Sequence, residues 1–386
     1  FLHSMEKEKQ CFMIKPLAYN IVSPLGFSAP DNYAAVRRGE SGVIPWQDPA
    51  GTPIVLSRLD REKLQDAFER QCKPSMEYTV PEQAMLLSAS LAVAEAGIDP
   101  ASARTGFVLS STKGNIELLA IPDHGFGRER IHLWHTAGLL TACFNNQNLP
   151  LTVTNACISG AAAQIAALKM LENGLYDHVV VTGVDMASDF IVAGFQSFKS
   201  LDPERCRPFD ARRKGLNIGE AAATIVFGKA DGKGISLIRG NVRNDANHIS
   251  GPSRTGAGLF RAISRTLEEL SPDDIAFISA HGTATPFNDQ MEAIAFTRAG
   301  LQHTPVFSLK AHFGHTMGAA GVLESIISMK ALEDGIILPS LGYEEPGIEG
   351  GLNISTATVH TNKRYIIKTL SGFGGCNAAL LYQTHS

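Results

Sequence analysis

Two distant stretches of this chain read as one unit written twice. CISGAAAQIAALKMLENG (157–174) and HTMGAAGVLESIISMKALEDG (315–335) share a Gly-Ala-Ala start and a Lys-x-Leu-Glu-Asn/Asp-Gly end. In each, a reactive type of residue stands three positions before the glycine, Cys157 in the first and His315 in the second. A second echo sets GFVLSSTKGN (106–115) beside AFISAHGTAT (276–285), in the same order. Chance likeness of two Ala-rich helices is the competing explanation for one echo, but it does not predict a second in the same order. The repetition therefore points to a duplicated α/β unit. The halves meet near GKADGKG (228–234), giving an expected division into 13–230 and 231–386.

Short apolar runs alternate with longer helical patterns along both halves. The runs predict strands at 107–110, 151–155, 178–183, 223–227, 275–279, 306–309, 365–370 and 378–382. Alternation of this kind argues for α/β layers with largely buried sheets. Apolar residues cover nearly the whole circumference of 158–171, so that helix is expected between layers. A chain of 386 residues has room for two such units around one core.

The charge balance excludes several classes of function. A net charge of −4 gives no reason to expect nucleic acid or a membrane surface as partner. No uncharged apolar run approaches the roughly 20 residues that span a bilayer. Residues 1–4, ahead of Met5, read as foreign to the natural chain, and MEKEKQCFMIK has no signal-peptide core. Cys11, Cys72, Cys143, Cys157, Cys206 and Cys376 are scattered, with no C-x-x-C pair and no zinc spacing. Reduced thiols in a cytoplasmic protein without a metal site are the expectation.

Cys157 taken alone is a core cysteine or a nucleophile, since free cysteine is among the most buried residue types. Its place where a strand enters a helix favours the second reading. Helix N-terminal N–H groups and the dipole lower a thiol's pKa, and the same N–H groups hold an oxyanion. His281 ends one apolar strand and His315 opens one apolar helix, on the side of α/β units where ligands gather. Lys310 and Glu324 flank His315 and are placed to order the histidines or the thiol. SGFGGCNAAL (371–380) lacks the P-loop lysine and is followed by a strand, so it is a glycine turn rather than a phosphate loop.

The motifs NACISGAA, RPFDARRKGLNIGEAAA, DANHISGP, AHGTATPFND, KAHFGHTMGAAG and SGFGG resemble, in this order, those of β-ketoacyl-acyl-carrier-protein synthases of the elongating type. The resemblance runs from VSPLG (22–26) to the end of the chain. It implies a thiolase fold, five layers α/β/α/β/α from a duplicated unit. It also implies decarboxylative Claisen condensation of malonyl-acyl-carrier-protein with an enzyme-bound acyl thioester. Cys157 matches the acyl-accepting nucleophile, and His281 and His315 match the pair that stabilises the thioester carbonyl during decarboxylation. Lys310 and Glu324 match polar supports, and Thr283 and Thr285 match hydroxyls beside the pantetheine arm. Phe373 matches the gating phenylalanine, whose N–H completes the oxyanion hole with that of Cys157. Lys113, Ile158 and Phe195 match positions bordering the acyl group.

No cofactor is implied beyond the phosphopantetheine of the carrier. The partner is the carrier itself, a small acidic protein, for which Arg128, Arg130 and Lys199 match basic docking positions; Arg207, Arg212 and Arg213 are secondary. A homodimer is expected, with a heterodimer of related subunits left open.

Several positions depart from the family pattern. Cys376 stands where Thr or Ser is usual, Ile158 where a small polar residue is commoner, and GEAAA replaces Gly-Glu-Gly-Ala-Gly. STKGN (111–115) brings a lysine to a loop that usually borders the acyl group with small or apolar residues, and the stretch from Gly106 to Cys157 is short. A long saturated chain beside Lys113 is poorly matched. A short, unsaturated or polyene-type acyl group fits better. Three alternatives stand beside this reading: a thiolase-type enzyme using Cys376 as base, a non-catalytic chain-length partner, and a cysteine hydrolase.

Overall fold

The computed structural model describes residues 13–47 and 51–385; the expectations for the N-terminal segment and Cys11 lie outside the described residues. The first of two five-stranded sheets contains β1 (Met13–Val22), β2 (Thr105–Ser110), β3 (Leu151–Val153), β4 (His178–Asp185) and β5 (Ala221–Ala230). The second contains β6 (Gly234–Asn244), β7 (Ile275–Ser279), β8 (Val306–Phe307), β9 (Tyr365–Gly372) and β10 (Cys376–His385). Across the first sheet the order is β3-β2-β4-β5-β1, and across the second it is β8-β7-β9-β10-β6. In each, the first three strands are parallel and the next two join antiparallel. Strand for strand, the second sheet repeats the first.

Helices fill the space between and outside the sheets. They include α1 (Val80–Ala96), α2 (Ser159–Glu172), α3 (Asp189–Ser197), α4 (Ala257–Leu267), α5 (Pro286–Arg298) and α6 (Ala320–Glu333). The echoed helices α2 and α6 lie in the middle. Ala163, Leu168, Leu323 and Ile327 share one buried cluster with Val181 and Ile225 of the first sheet and Leu370 and Leu380 of the second. On the outside, α1 packs on the first sheet, and α4 with α5 packs on the second. The layers are therefore α/β/α/β/α, as the resemblance implies.

The glycines of the echo make the central layer possible. A Cβ on Gly160 would stand 2.9 Å from Val322 N and 3.0 Å from Gly318 O, and one on Gly321 would stand 2.4 Å from Ala161 N. The two helix starts thus meet backbone to backbone, which carries Cys157 and His315 toward each other.

All eight strands expected from the sequence occur, all but 275–279 with shifted ends. The run 151–155 stops pairing at Val153, because the chain turns sharply toward the helix there. The long strands β1 and β6 escape an apolar-run reading because polar residues interrupt them, Lys15 and Asn20 in one, Arg239 and Arg243 in the other. Both are outermost strands. Lys15 is buried there by donating to the carbonyls of Asp231 (3.1 Å) and Lys233 (3.0 Å) at the crossover between sheets.

Candidate active site

Cys157 sits in a tight turn between β3 and α2. Ala156, just before it, holds φ +46°, a left-handed conformation that costs a non-glycine residue energy. Ser159 secures the turn: its Oγ accepts from Asn155 N–H at 2.8 Å and donates to Ala156 O at 2.6 Å. The helix proper begins at Ser159, two residues beyond the cysteine. Ile158 does not border the cavity; it is wholly buried in the central cluster. That corrects its expected place beside the acyl group: an apolar side chain one residue after Cys157 faces the layer interior, where burial stabilises it.

His315 follows the short helix Lys310–Phe313 and is laid against the backbone of Ile218–Gly219. Gly219 comes from the GEAAA motif, and a Cβ there would meet Phe313 O at 2.0 Å, so only glycine permits the approach. His315 N–H donates to Asn217 O at 2.6 Å. Its Nδ1 accepts from Met317 N–H at 3.2 Å, which places the proton of the neutral ring on Nε2. That Nε2 lies 3.0 Å from Cys157 Sγ.

His281 stands just past β7, its backbone N–H held by Glu292 Oε1 at 2.8 Å while Gly282 N–H is held by Oε2 at 2.7 Å. The two imidazoles meet edge to face, centroids 5.0 Å apart. Cys157, His281 and His315 are all buried, with ligand-type atoms within 4.8 Å of one another. They floor a cavity of about 280 Å³ that Phe195, Thr283 and Phe373 also line. Thr283 and Thr285 sit on its wall, their hydroxyls 3.0 Å apart. The Phe373 ring stacks on Phe195 at 5.6 Å, and its N–H is directed at Cys157 Sγ.

Burial governs the titration of this group. It pushes the Cys157 thiol up to about 11, with Lys113, Lys310 and the Phe373 N–H pulling the other way. The helix start therefore does not give the free enzyme a lowered thiol, contrary to the sequence expectation, because the desolvation is larger. Burial, with Lys310 and Lys368 adding to it, holds both histidines well below the usual imidazole range. At neutral pH the site is a thiol beside two neutral imidazoles.

Lys310 lies wholly buried and ion-pairs with Glu324 Oε1. Glu324 Oε2 meets a second lysine, Lys368, at 2.6 Å. Burial pushes the Glu324 carboxyl up, but the two lysines hold it below the usual carboxylate range. A thiol with two imidazoles is also a donor set for a zinc ion. Two buried ammoniums behind the histidines set the local charge against a divalent cation.

Other candidate residues fall in different surroundings. Lys113, half-buried after β2, donates to Thr112 Oγ1 at 2.9 Å, and its charge reaches Cys157 and His315 without lining the cavity. Cys376 does not line the cavity; its thiol points at the carbonyls of Phe373 (3.3 Å) and Asn155 (3.6 Å), and burial pushes it up to about 12. Arg130 is no docking residue. Its guanidinium is buried, ion-paired with Glu82 and stacked over Phe126 at 4.8 Å. A spacing argument does not reveal that Glu82, in the first turn of α1, claims it. Arg128 and Lys199 are exposed, and Lys199 follows Phe198, which lines the cavity. Arg207 and Arg212 pair with Glu344, and Arg213 lies beside Asp289.

Three side chains that tie the site together escaped the sequence reading: Lys368, Glu292 and Asp185. Asp185 ends β4 and accepts from Ser111 Oγ (2.9 Å), Thr112 N–H (2.9 Å) and Gly318 N–H (2.7 Å), tying the Lys113 loop to the turn after His315. The available signal was a charged residue closing or interrupting an apolar run, as in VVVTGVD and YIIKTL.

Comparison with known proteins agrees with this geometry. The model of the β-ketoacyl synthase N-terminal domain matches residues 46–231, and that of the C-terminal domain matches 236–344. The chain is 31% identical over 341 residues to 3-oxoacyl-[acyl-carrier-protein] synthase 2 of Rhizobium meliloti (strain 1021), covering 78% of this chain and 80% of that protein. It is 30% identical over 242 residues to nodulation protein E of Rhizobium leguminosarum bv. trifolii, where the match spans 60% of either chain. Among solved structures, the ishigamide ketosynthase/chain length factor superposes with a TM-score of 0.85 at 24% identity, covering 97% of this chain and 100% of that one.

Proposed function

The chain belongs to the β-ketoacyl synthase family, and from that premise we propose that it condenses a Cys157-bound acyl group with a malonyl group delivered on an acyl carrier protein. The observation that carries this reading is the 3.0 Å contact of Cys157 Sγ with His315 Nε2, beside His281, at the floor of one cavity.

In the first half-reaction, Cys157 sulfur attacks the acyl thioester carbonyl and the carrier's pantetheine thiol leaves with a proton. The backbone N–H groups of Cys157 and Phe373 are the donors for the oxyanion. In the second, the malonyl thioester loses its carboxylate as CO2, and the electron pair of the broken C–C bond becomes an enolate. Neutral His315 holds an Nε2 proton for that oxygen, and His281 is the second donor. The enolate carbon then bonds to the acyl carbonyl, the Cys157 sulfur leaves, and a 3-oxoacyl carrier protein is released. Low-dielectric surroundings make both donors worth more than in water. No cofactor is required beyond the pantetheine arm.

The thiolase alternative loses its base, since the Cys376 thiol is committed to backbone carbonyls. A non-catalytic subunit has no use for a cysteine set against a donor imidazole. Arg128 and Lys199 are the carrier-docking residues in this proposal.

A second copy, or a related chain, docks on the outermost strand β3. Leu149, Leu151 and Trp134 are exposed at or near that edge, and an apolar open edge is a pairing site. Among the described residues no helix is long and apolar enough to cross a membrane, and free thiols suit a cytoplasmic setting. The test supplies acyl and malonyl carrier proteins together and reads CO2 and product mass. One CO2 per 3-oxoacyl product supports condensation; acyl hydrolysis without CO2 refutes it.

A further inference from the structure

Lys368 lies in β9 and is wholly buried, the sole cation in the run YIIKTL. Its ammonium donates to Ser279 O at 3.1 Å and Ala280 O at 3.1 Å and ion-pairs with Glu324 Oε2 at 2.6 Å. The two carbonyls immediately precede His281, and Ser279 is the register partner of Lys368 across β7 and β9. Glu324 reaches from α6 to Lys310 with its other oxygen. Beneath the imidazole pair, one carboxylate thus sits between two ammoniums, leaving an excess positive charge.

We propose that Lys368 is a positioning residue for the condensation: it fixes the end of β7 that carries His281, and its added charge preserves both imidazoles as neutral donors in acid. The inference rests on the condensing reading above.

The other charges around the histidines leave this role to it. Lys310 comes from the short helix and Glu324 from α6, and they match each other. Glu292 and Asp289 of α5 spend their oxygens on N–H groups of His281, Gly282, Phe209 and Ala284. Cys157 is a thiol. Lys113 adds positive charge from the loop after β2, offset by Asp185 at the end of β4. At the cavity mouth, Asp245 is engaged by Gly258 N–H and Asn377, and His248 by backbone N–H groups. Removing Lys368 takes the excess charge away and leaves two carbonyls without their donor.

The test is the pH profile of malonyl-carrier decarboxylation in wild type, Lys368→Met and Lys368→Arg, with thermal midpoints recorded beside it. A nearby positive charge keeps an imidazole neutral, so its loss lets the rings protonate at higher pH. The acid limb in Lys368→Met is expected to move up by about one pH unit, with kcat lowered and KM unchanged, and to return to wild type in Lys368→Arg. An unmoved limb in folded Lys368→Met overturns the proposal, as does an equal shift in both variants. Should neither variant fold, ring-nitrogen NMR of histidine-labelled wild type decides: His281 and His315 neutral at pH 6 supports the role, and a midpoint above 6 overturns it. A wild type that releases no CO2 fails the condensing reading itself, whereas active wild type with an unmoved limb fails this inference alone.

Discussion

Arg130→Met separates a structural arginine from a docking one. The guanidinium donates to Glu82 through two nitrogens, Nε to Oε1 at 2.9 Å, and reaches Glu77 O at 3.3 Å. Glu82 also accepts from Thr79 N–H at 2.9 Å and Asn115 Nδ2 at 2.8 Å, so the start of α1, the loop after β2 and residue 130 share one buried network. Glu82 is wholly buried and Arg130 nearly so. Removing the cation leaves a buried carboxylate uncompensated, which costs about 3–5 kcal/mol. For a chain of this length that is a fall in Tm of about 5 °C. Adding Glu82→Gln removes the stranded charge while keeping the helix cap, and should recover more than half of the loss. The assay is thermal and denaturant unfolding, with the salt dependence of carrier-delivered acylation measured beside it. A loss below about 1 kcal/mol, the range of an exposed pair, combined with a flattened salt dependence would refute this reasoning and restore Arg130 to the docking surface.

His281→Ala and His315→Ala should each slow malonyl decarboxylation by about 10²-fold or more, the scale of losing one oxyanion donor; acylation of Cys157 should survive in part, and wild-type decarboxylation in both would contradict their roles. With the thiol pushed up to about 11, the thiolate fraction is small at neutral pH and iodoacetamide labelling of the free enzyme should rise about tenfold per pH unit from 7 to 9. Lys113 pulls that thiol down, so Lys113→Met should label more slowly at pH 8, and faster labelling would reverse the sign of its effect. Arg128→Glu with Lys199→Glu should slow acylation from a carrier protein and leave acylation from a small pantetheine thioester unchanged, because exposed charges mainly govern association; equal loss from both donors would remove these residues from docking.

The repetition in the sequence was the most legible feature, because it reflects a packing requirement. Gly160 is required because two helix starts touch there, against Gly321, and its echo Gly318 because the chain passes close to Ser111 and Asp185; the contact of the helix starts also brings Cys157 to His315. Motif order therefore pointed to Cys157, His281 and His315, which the fold brings together. What the sequence hid were partnerships made across the fold. Arg130 looks like an exposed base until Glu82, 48 positions away, is seen to hold it. Lys368 looks like a strand impurity until the carbonyls before His281 are seen to need its donors. Cys157 was expected to be acidified at a helix start, yet its burial outweighs that. Long-range pairing and desolvation depend on three-dimensional neighbours, and single-chain periodicity does not carry them.

The most direct measurement is intact-mass analysis of wild type and Cys157→Ala after incubation with a panel of acyl carrier proteins. Wild type should gain the mass of one acyl group, located at Cys157 by peptide mapping and discharged on adding malonyl carrier protein, while Cys157→Ala gains none. Acyl mass retained on Cys157→Ala, or a wild-type acyl group that malonyl carrier protein does not remove, would contradict Cys157 as the condensing nucleophile.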